Sequence, residues 1–270
     1  MSIEKYLASV FSLEGKVILF TGATGGIGRE ICKGYAQSGA DVALADMDAT
    51  KLAELEREIT DAGGKAKSFV LDLTKMDDIK KCVDAVIGAY GRIDVLFNCA
   101  GINKREGLLD VSESTYDRIM QINLKGLYFI SQEVGKHMRV AKKGSVINMA
   151  SHNSVGMLGG CSVYGATKSA VTALTRSMAV EWAKFGIRAN ALAPGHIITP
   201  LTTVTWEHPT RSVYLKERIA MGRPGTPEEI VGAAILLASD ASSYLSGMMI
   251  HIDGGCLAGG APWDFDTKFD

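Results

Sequence analysis

Tyr164 and Lys168 stand four residues apart in Ser162-Val-Tyr-Gly-Ala-Thr-Lys-Ser-Ala, a segment of helical pattern. Residues at i and i+4 share one helix face, so the ammonium can lie beside the phenol. A tyrosine with a pKa of about 10 is rarely ionised at neutral pH, and a nearby cation favours its phenolate. Such a pair can take up and return a proton. Alone it is a weak signal, because Tyr and Lys meet at this spacing on many helices. Three further features point to the same crevice. Ser151 follows a strand-like run and precedes Tyr164 by thirteen residues, Asn98-Cys-Ala-Gly101 closes another such run, and Asn123 interrupts a long helical stretch with a poor helix former.

A second constellation lies near the start of the chain. Thr21-Gly-Ala-Thr-Gly-Gly-Ile-Gly28 joins a strand-like run to a helical one. Glycines there permit a tight turn and close backbone approach, and the helix start offers unpaired N–H groups to a pyrophosphate. The spacing Gly-x3-Gly-x-Gly departs from the commoner Gly-x-Gly-x-x-Gly, and a bare βα turn would also accept it. Eighteen residues after Gly28, the second strand-like run ends at Asp46, where a carboxylate can accept hydrogen bonds from adenosine ribose hydroxyls. No Lys or Arg precedes Arg29 in the glycine loop or directly follows Asp46 to compensate a 2′-phosphate. The expected cofactor is NAD. Asp46 also suits a helix cap, and that reading stays open.

The elements that must hold these residues alternate. Strands are expected at Val17 to Phe20, Asp41 to Ala45, Ala66 to Val70, Ile93 to Phe97, Ser145 to Met149, Arg188 to Ala193 and Met248 to Ile252. Helices are expected near Ile27 to Gln37, Ala49 to Ala62, Met76 to Tyr90, Ser112 to Arg139, Ser162 to Phe185 and Pro227 to Ala238. This is the pattern of an α/β protein: one doubly wound, Rossmann-type parallel sheet of about seven strands with helices on both faces. No repeat or Pro/Ser linker divides the chain, so residues 1–270 read as a single dinucleotide-binding catalytic domain. Pro194 to Arg211 reads as irregular, and the substrate loop is expected at about 194–225. The segment 256–270, aromatic and acidic at its end, either folds over the site or a neighbouring subunit or is disordered.

Composition excludes several classes. Lys+Arg number 29 against 30 Asp+Glu, a net charge of -1, with no basic block to engage nucleic acid or anionic membranes. Apolar runs such as Val17 to Phe20 fall far short of the roughly 20 residues that cross a bilayer, and the start reads as a short amphipathic lead-in rather than a secretory signal. The five cysteines include no Cys-x-x-Cys and sit in apolar segments, which favours a reducing cytoplasm over disulfides or zinc. His137, His208 and His251 show no metal spacing, and no metal is expected.

Taken together, Thr-Gly-x3-Gly-Ile-Gly, Asn-x-Ala-Gly, Ser151 with Tyr164-x3-Lys168, and Pro194-Gly195 with Thr199 resemble the short-chain dehydrogenase/reductase family from Leu13 to Gly255. Cys99 departs from the family's Asn-Asn-Ala-Gly. The resemblance implies a catalytic set of Asn123, Ser151, Tyr164 and Lys168. Tyr164 exchanges the proton of a secondary alcohol while hydride passes to or from the nicotinamide, and Ser151 steadies the substrate oxygen. Lys168 lowers the Tyr164 pKa and holds the ribose, and Asn123 positions a water that links Lys168 to solvent. The implied cofactor residues are Gly22, Thr24, Gly25, Gly26, Ile27 and Gly28; Asp46 and Met47; Asp72 and Leu73; Asn98, Ala100 and Gly101; Tyr164 and Lys168; and Pro194, Gly195, Ile197 and Thr199. Asp72 would contact adenine, and Ile197 and Thr199 the carboxamide and phosphates.

The loop Ile102-Asn-Lys-Arg105, the opening Phe11 to Lys16, Glu181 to Lys184 and Asp253-Gly-Gly are similar to gluconate 5-dehydrogenase and 2-dehydro-3-deoxygluconate 5-dehydrogenase members. That implies a sugar-acid substrate. Arg105 would grip the carboxylate, with Ser151, His152, Asn153, Tyr164 and His196 toward the substrate; each of these polar groups also has a reading as surface or packing. The competing readings are a 3-oxoacyl-carrier-protein reductase, a hydroxysteroid-type dehydrogenase with Met157 and Trp206 lining an apolar pocket, and a non-catalytic NAD(H) sensor or scaffold. Asp46 and the near-neutral charge oppose the first, and the complete catalytic set opposes the last. Family likeness further implies a homotetramer, with Ala166, Ala170 and Ala173 permitting helices to approach.

Overall fold

The computed structural model describes residues 2–200 and 202–260. Residues 261–270, on which most of the expected tail falls, lie outside that description. The elements are α1 (Ile3–Phe11), β1 (Val17–Thr21), α2 (Gly26–Gln37), β2 (Asp41–Asp46), α3 (Ala49–Asp61), β3 (Lys65–Val70), α4 (Met76–Tyr90), β4 (Val95–Asn98), α5 (Glu113–Met120), α6 (Leu127–Ala141), β5 (Gly144–Met149), α7 (Ser162–Trp182), β6 (Ile187–Pro194), α8 (Thr203–Trp206), α9 (Pro209–Lys216), α10 (Glu228–Ala238) and β7 (Met249–Ile252).

The seven strands form one sheet in the order β3-β2-β1-β4-β5-β6-β7, each neighbouring pair parallel. β1, β4 and β5 are buried at every position, which explains their unbroken apolar runs. Alternate residues serve opposite faces. Ile18 and Phe20 pack with Leu52 of α3 and Ile230 of α10, while Val17 and Leu19 pack with Val83 of α4, Val134 of α6 and Val171 of α7. The order reverses direction between β1 and β4, so a crevice opens at their carboxyl ends. Gly39, Gly63, Gly91 and Gly186 follow helices with positive φ, the left-handed conformation that ends a helix.

Two expected elements differ. Ser112 to Arg139 is not one α-helix: residues Gln121–Gly126 between α5 and α6 form a π-helical turn. The cause is tertiary. Asn123 is fully buried, its Oδ1 accepts from the Ile102 N–H at 2.8 Å, and its Nδ2 donates to the Ile102 carbonyl at 2.8 Å and to Thr167 Oγ1 at 3.3 Å. These bonds draw the turn outward from the regular helix, as π-bulges at functional sites do. The segment Pro194 to Arg211 is also not irregular throughout, because it carries α8 and the start of α9. His208 caps α9, its Nδ1 accepting from the Arg211 N–H at 3.4 Å, and Pro209 occupies the first turn, where no N–H is needed. At its base the segment is tied by Ile198 N–H to the Gly225 carbonyl and Gly225 N–H to the His196 carbonyl, both 2.9 Å.

The amphipathic lead-in is α1, capped by Ser2, with Ile3 75% exposed and no residue buried. The described cysteines are free, three of them buried. Among the described residues no helix is long and apolar enough to cross a membrane, and no metal-binding cluster occurs.

Candidate active site

The crevice at the sheet's carboxyl edge is a cleft of about 730 Å³. One end is built by the glycine turn. Gly22 has φ +73°, and a Cβ there would lie 2.6 Å from the Ala100 nitrogen of the neighbouring strand end. At Gly28 a Cβ would lie 2.3 Å from the Gly22 carbonyl oxygen. Neither position admits a side chain. α2 begins on Gly25 without a side-chain cap, so its first N–H groups face the cleft as anion donors. Thr24, Gly26 and Ile27 complete this wall.

Asp46 ends β2 on the same cleft. Its Oδ2 accepts from the Thr24 N–H at 3.1 Å and its Oδ1 from the Met47 N–H at 2.7 Å, so the carboxylate ties the glycine turn to β2. The helix-capping reading belongs to Asp48 instead, which accepts from the Lys51 N–H at 3.1 Å. The nearby cations are already paired, Arg29 with Glu58 and Lys51 with Asp48. Asp72 and Leu73 line the cleft beyond β3, and hydrogen bonds from Thr74 hold the Asp72 carboxyl below its usual range. A glycine turn too tight for side chains, helix-start N–H groups and a carboxylate at the end of β2, all lining one cleft, fit a dinucleotide.

At the other end, α7 carries Tyr164 and Lys168. The Lys168 ammonium is buried, donates to the Met149 carbonyl at 2.6 Å and lies 5.6 Å from the Tyr164 ring centre. Burial brings its pKa down to about 8. Ser151 is buried beside Tyr164, its Oγ accepting from the Asn153 N–H at 3.1 Å. Lys168 faces the Tyr164 ring, and two other influences act on the phenol. Burial pushes the phenol up, and the opposing influence comes from the Ser151 hydroxyl.

Pro194, Gly195, Ile197 and Thr199 form the wall after β6, with Ala100 and Gly101 opposite. His152, Asn153, His196 and Arg105 meet at the mouth. The His152 and His196 rings are 4.6 Å apart, and Trp206 meets His196 edge-on at 6.1 Å. Burial lowers His152, and burial with the charges of His152 and Arg105 brings His196 down to about 4. Both imidazoles are neutral hydrogen-bonding groups near pH 7.

One expected cofactor residue is misplaced. Asn98 is buried behind the cleft, its Nδ2 donating to Ser131 Oγ at 2.9 Å and Asn148 Oδ1 at 2.8 Å, because as the last residue of β4 its side chain turns toward α6 and the neighbouring strand β5. Asn123 also stands behind the lining, holding Ile102 at its edge. Met157 is exposed and outside the cleft, packed against Gly165, whereas Trp206 does line it. Sequence reasoning passed over Asn103, Leu158, Cys161, Thr202 and Leu215, all of which line the cleft. Leu215 had one signal, as an apolar residue in the segment following the expected loop.

A sheet in this order, with a glycine turn after β1 and Ser, Tyr and Lys converging at its carboxyl edge, defines a nicotinamide-dependent oxidoreductase. A family model described as "Enoyl-(Acyl carrier protein) reductase" matches residues 22–256. The 2-dehydro-3-deoxy-D-gluconate 5-dehydrogenase of Escherichia coli K12 is 39% identical, covering 93% of this chain and 99% of that relative. The 3-oxoacyl acyl-carrier-protein reductase of Thermotoga maritima is 41% identical over 91% of this chain and 99% of that relative. A gluconate 5-dehydrogenase from Burkholderia cenocepacia J2315, solved in complex with NADP and tartrate, superposes with a TM-score of 0.90 at 35% identity, covering 93% of this chain and 99% of that one. The chain belongs to the short-chain dehydrogenase/reductase family and is an enzyme acting on CH–OH groups.

Proposed function

We propose that this enzyme interconverts a secondary alcohol and a ketone on an open-chain sugar acid, using NAD. The observation that carries the reading is the convergence of Ser151, Tyr164 and Lys168 on a cleft whose mouth holds His152, His196 and Arg105. A polyhydroxy acid matches that mouth, with neutral imidazoles for hydroxyls and a guanidinium for a carboxylate.

When bound, the nicotinamide accepts or donates the hydride. The protein's residues handle the oxygen and its proton. Ser151 Oγ donates to the substrate oxygen and stabilises charge developing there. Because burial favours the neutral phenol, Tyr164 rests as a proton donor, the form that ketone reduction needs. Alcohol oxidation needs the phenolate, so its rate rises with pH. Lys168, anchored on the Met149 carbonyl beside the Tyr164 ring, would hold the nicotinamide ribose hydroxyls and set a positive charge beside the phenolate when it forms.

The reading of NAD is supported by the Asp46 carboxylate at the end of β2, which would repel a 2′-phosphate, and by the pairing of Arg29 with Glu58 and Lys51 with Asp48. The exposed Ala166 and Ala173 on α7 support close helix packing in a homotetramer, free cysteines support a cytoplasmic location, and the unbroken sheet supports one catalytic domain.

The deciding experiment is a panel of aldonates, ketoaldonates, simple sugars, steroids and acyl thioesters with NAD and NADP, followed by nicotinamide absorbance. Turnover of an aldonate or ketoaldonate with NAD is expected. Activity confined to acyl thioesters would overturn the proposal in favour of carrier-linked ketone reduction.

A further inference from the structure

A second cavity of about 360 Å³ adjoins the cleft and shares Arg105 with it. Its walls are Arg105, Glu106, Gly107, Gly159, Gly160 and Arg211. Three of these are glycines, and at Gly159 a Cβ would meet nothing within 4 Å, so the space is left open by residue choice. The 105–107 and 158–160 loops are joined by the Glu106 N–H donating to the Gly160 carbonyl at 3.1 Å. α9 contributes Arg211, which like Arg105 is exposed to solvent.

The charges of this cavity are unequal. Glu106 is engaged by Lys104, 2.5 Å from its Oε1. Neither Arg105 nor Arg211 has a carboxylate partner among the described residues. Arg211 stands in the first turn of α9, which holds no acidic residue. A cation there opposes the helix dipole, an arrangement that an anionic ligand would reverse. Arg105 connects this cavity to the chemistry, since it lines both the cavity and the cleft that holds His196.

We infer that Arg211 is a specificity-determining residue which, with Arg105, clamps the carboxylate end of the substrate in this second cavity while the carbinol lies at Ser151 and Tyr164. Arg105 can pair a carboxylate bidentately through two of its acceptor sites, and a second guanidinium lining the same cavity can engage those that remain. The inference rests on the sugar-acid reading of the main cleft and adds the residue that selects its charged end.

The test is Arg211→Gln, with Arg211→Lys as the charge-keeping control. Intact folding is checked by circular dichroism and NADH binding. For Arg211→Gln the aldonate KM should rise about tenfold relative to that of a hexitol of the same length, with kcat little changed, and Arg211→Lys should fall between. An unchanged ratio overturns the clamp. A sugar phosphate showing the larger dependence on Arg211 overturns the assignment to carboxylate. Tartrate titration followed by tryptophan fluorescence separates this inference from the broader reading. If aldonates are not substrates, saturable tartrate binding weakened by Arg211→Gln still supports an anion clamp, and tartrate binding indifferent to the substitution removes it.

Discussion

Asn123 grips both polar groups of the Ile102 backbone, each through a 2.8 Å bond. The amide thereby fixes the loop that follows the Asn98-Cys-Ala-Gly101 turn and holds the π-helical turn open beside Lys168. Replacing Asn123 by Ala orphans a buried N–H and carbonyl, which costs about 1–3 kcal/mol each when buried without a partner. Thermal denaturation should show lower stability, and steady-state kinetics should show a fall in kcat of at least about tenfold.

Tyr164→Phe removes only the phenolic oxygen. Loss of general acid–base catalysis of this kind costs about 10²- to 10⁴-fold. Turnover should fall by that factor while NADH fluorescence titration gives unchanged binding. Substantial residual activity would place the proton transfer elsewhere.

Asp46→Ala tests cofactor choice. If the carboxylate faces the ribose 2′-hydroxyl as proposed, removing it should raise the ratio of kcat/KM for NADP over NAD by about tenfold or more, the size of one charge-assisted contact. A wild-type preference for NADP would refute the role given to Asp46.

His196 has a pKa of about 4 against its ordinary 6.5. Between these values the unfolded chain binds the proton that the folded chain refuses, so stability rises with pH across the window and is lost as pH falls from 6.5 to 4. His196→Gln should flatten that slope in thermal melts taken at intervals through it. An unaltered slope would assign the acid sensitivity to other groups.

Gly28→Ala would set a Cβ 2.3 Å from the Gly22 carbonyl oxygen, backbone that cannot swing aside. Calorimetry should show nucleotide affinity reduced by at least about tenfold together with a lower Tm, the cost expected of forced overpacking.

The sequence carried the cleft further than the elements around it. Gly22, Asp46, Ser151, Tyr164 and Lys168 announce themselves because each occupies a strand end or a helix spacing, and those features are local. Asn98 was misjudged for the same reason. Its place at the end of β4 is readable, but the direction of its side chain depends on Ser131 and Asn148, which approach only in the fold. The π-helical turn was likewise invisible, since its cause is a bond between residues 21 positions apart. The helices α8 and α9 depend on capping by His208 and on threonine bonds around Thr202, signals too short to separate from a loop.

The paired bonds between Ile198, Gly225 and His196 give the segment carrying α8 and α9 a fixed neck. The segment between these bonded ends is a closed loop, and lengthening such a loop costs little chain entropy. Trp206, Arg211 and Leu215 can therefore be exchanged as a cassette while His196, Ser151 and Tyr164 keep their places. The substrate contacts on α8 and α9 and the proton-handling residues on α7 and after β5 thus stand on different elements of the chain.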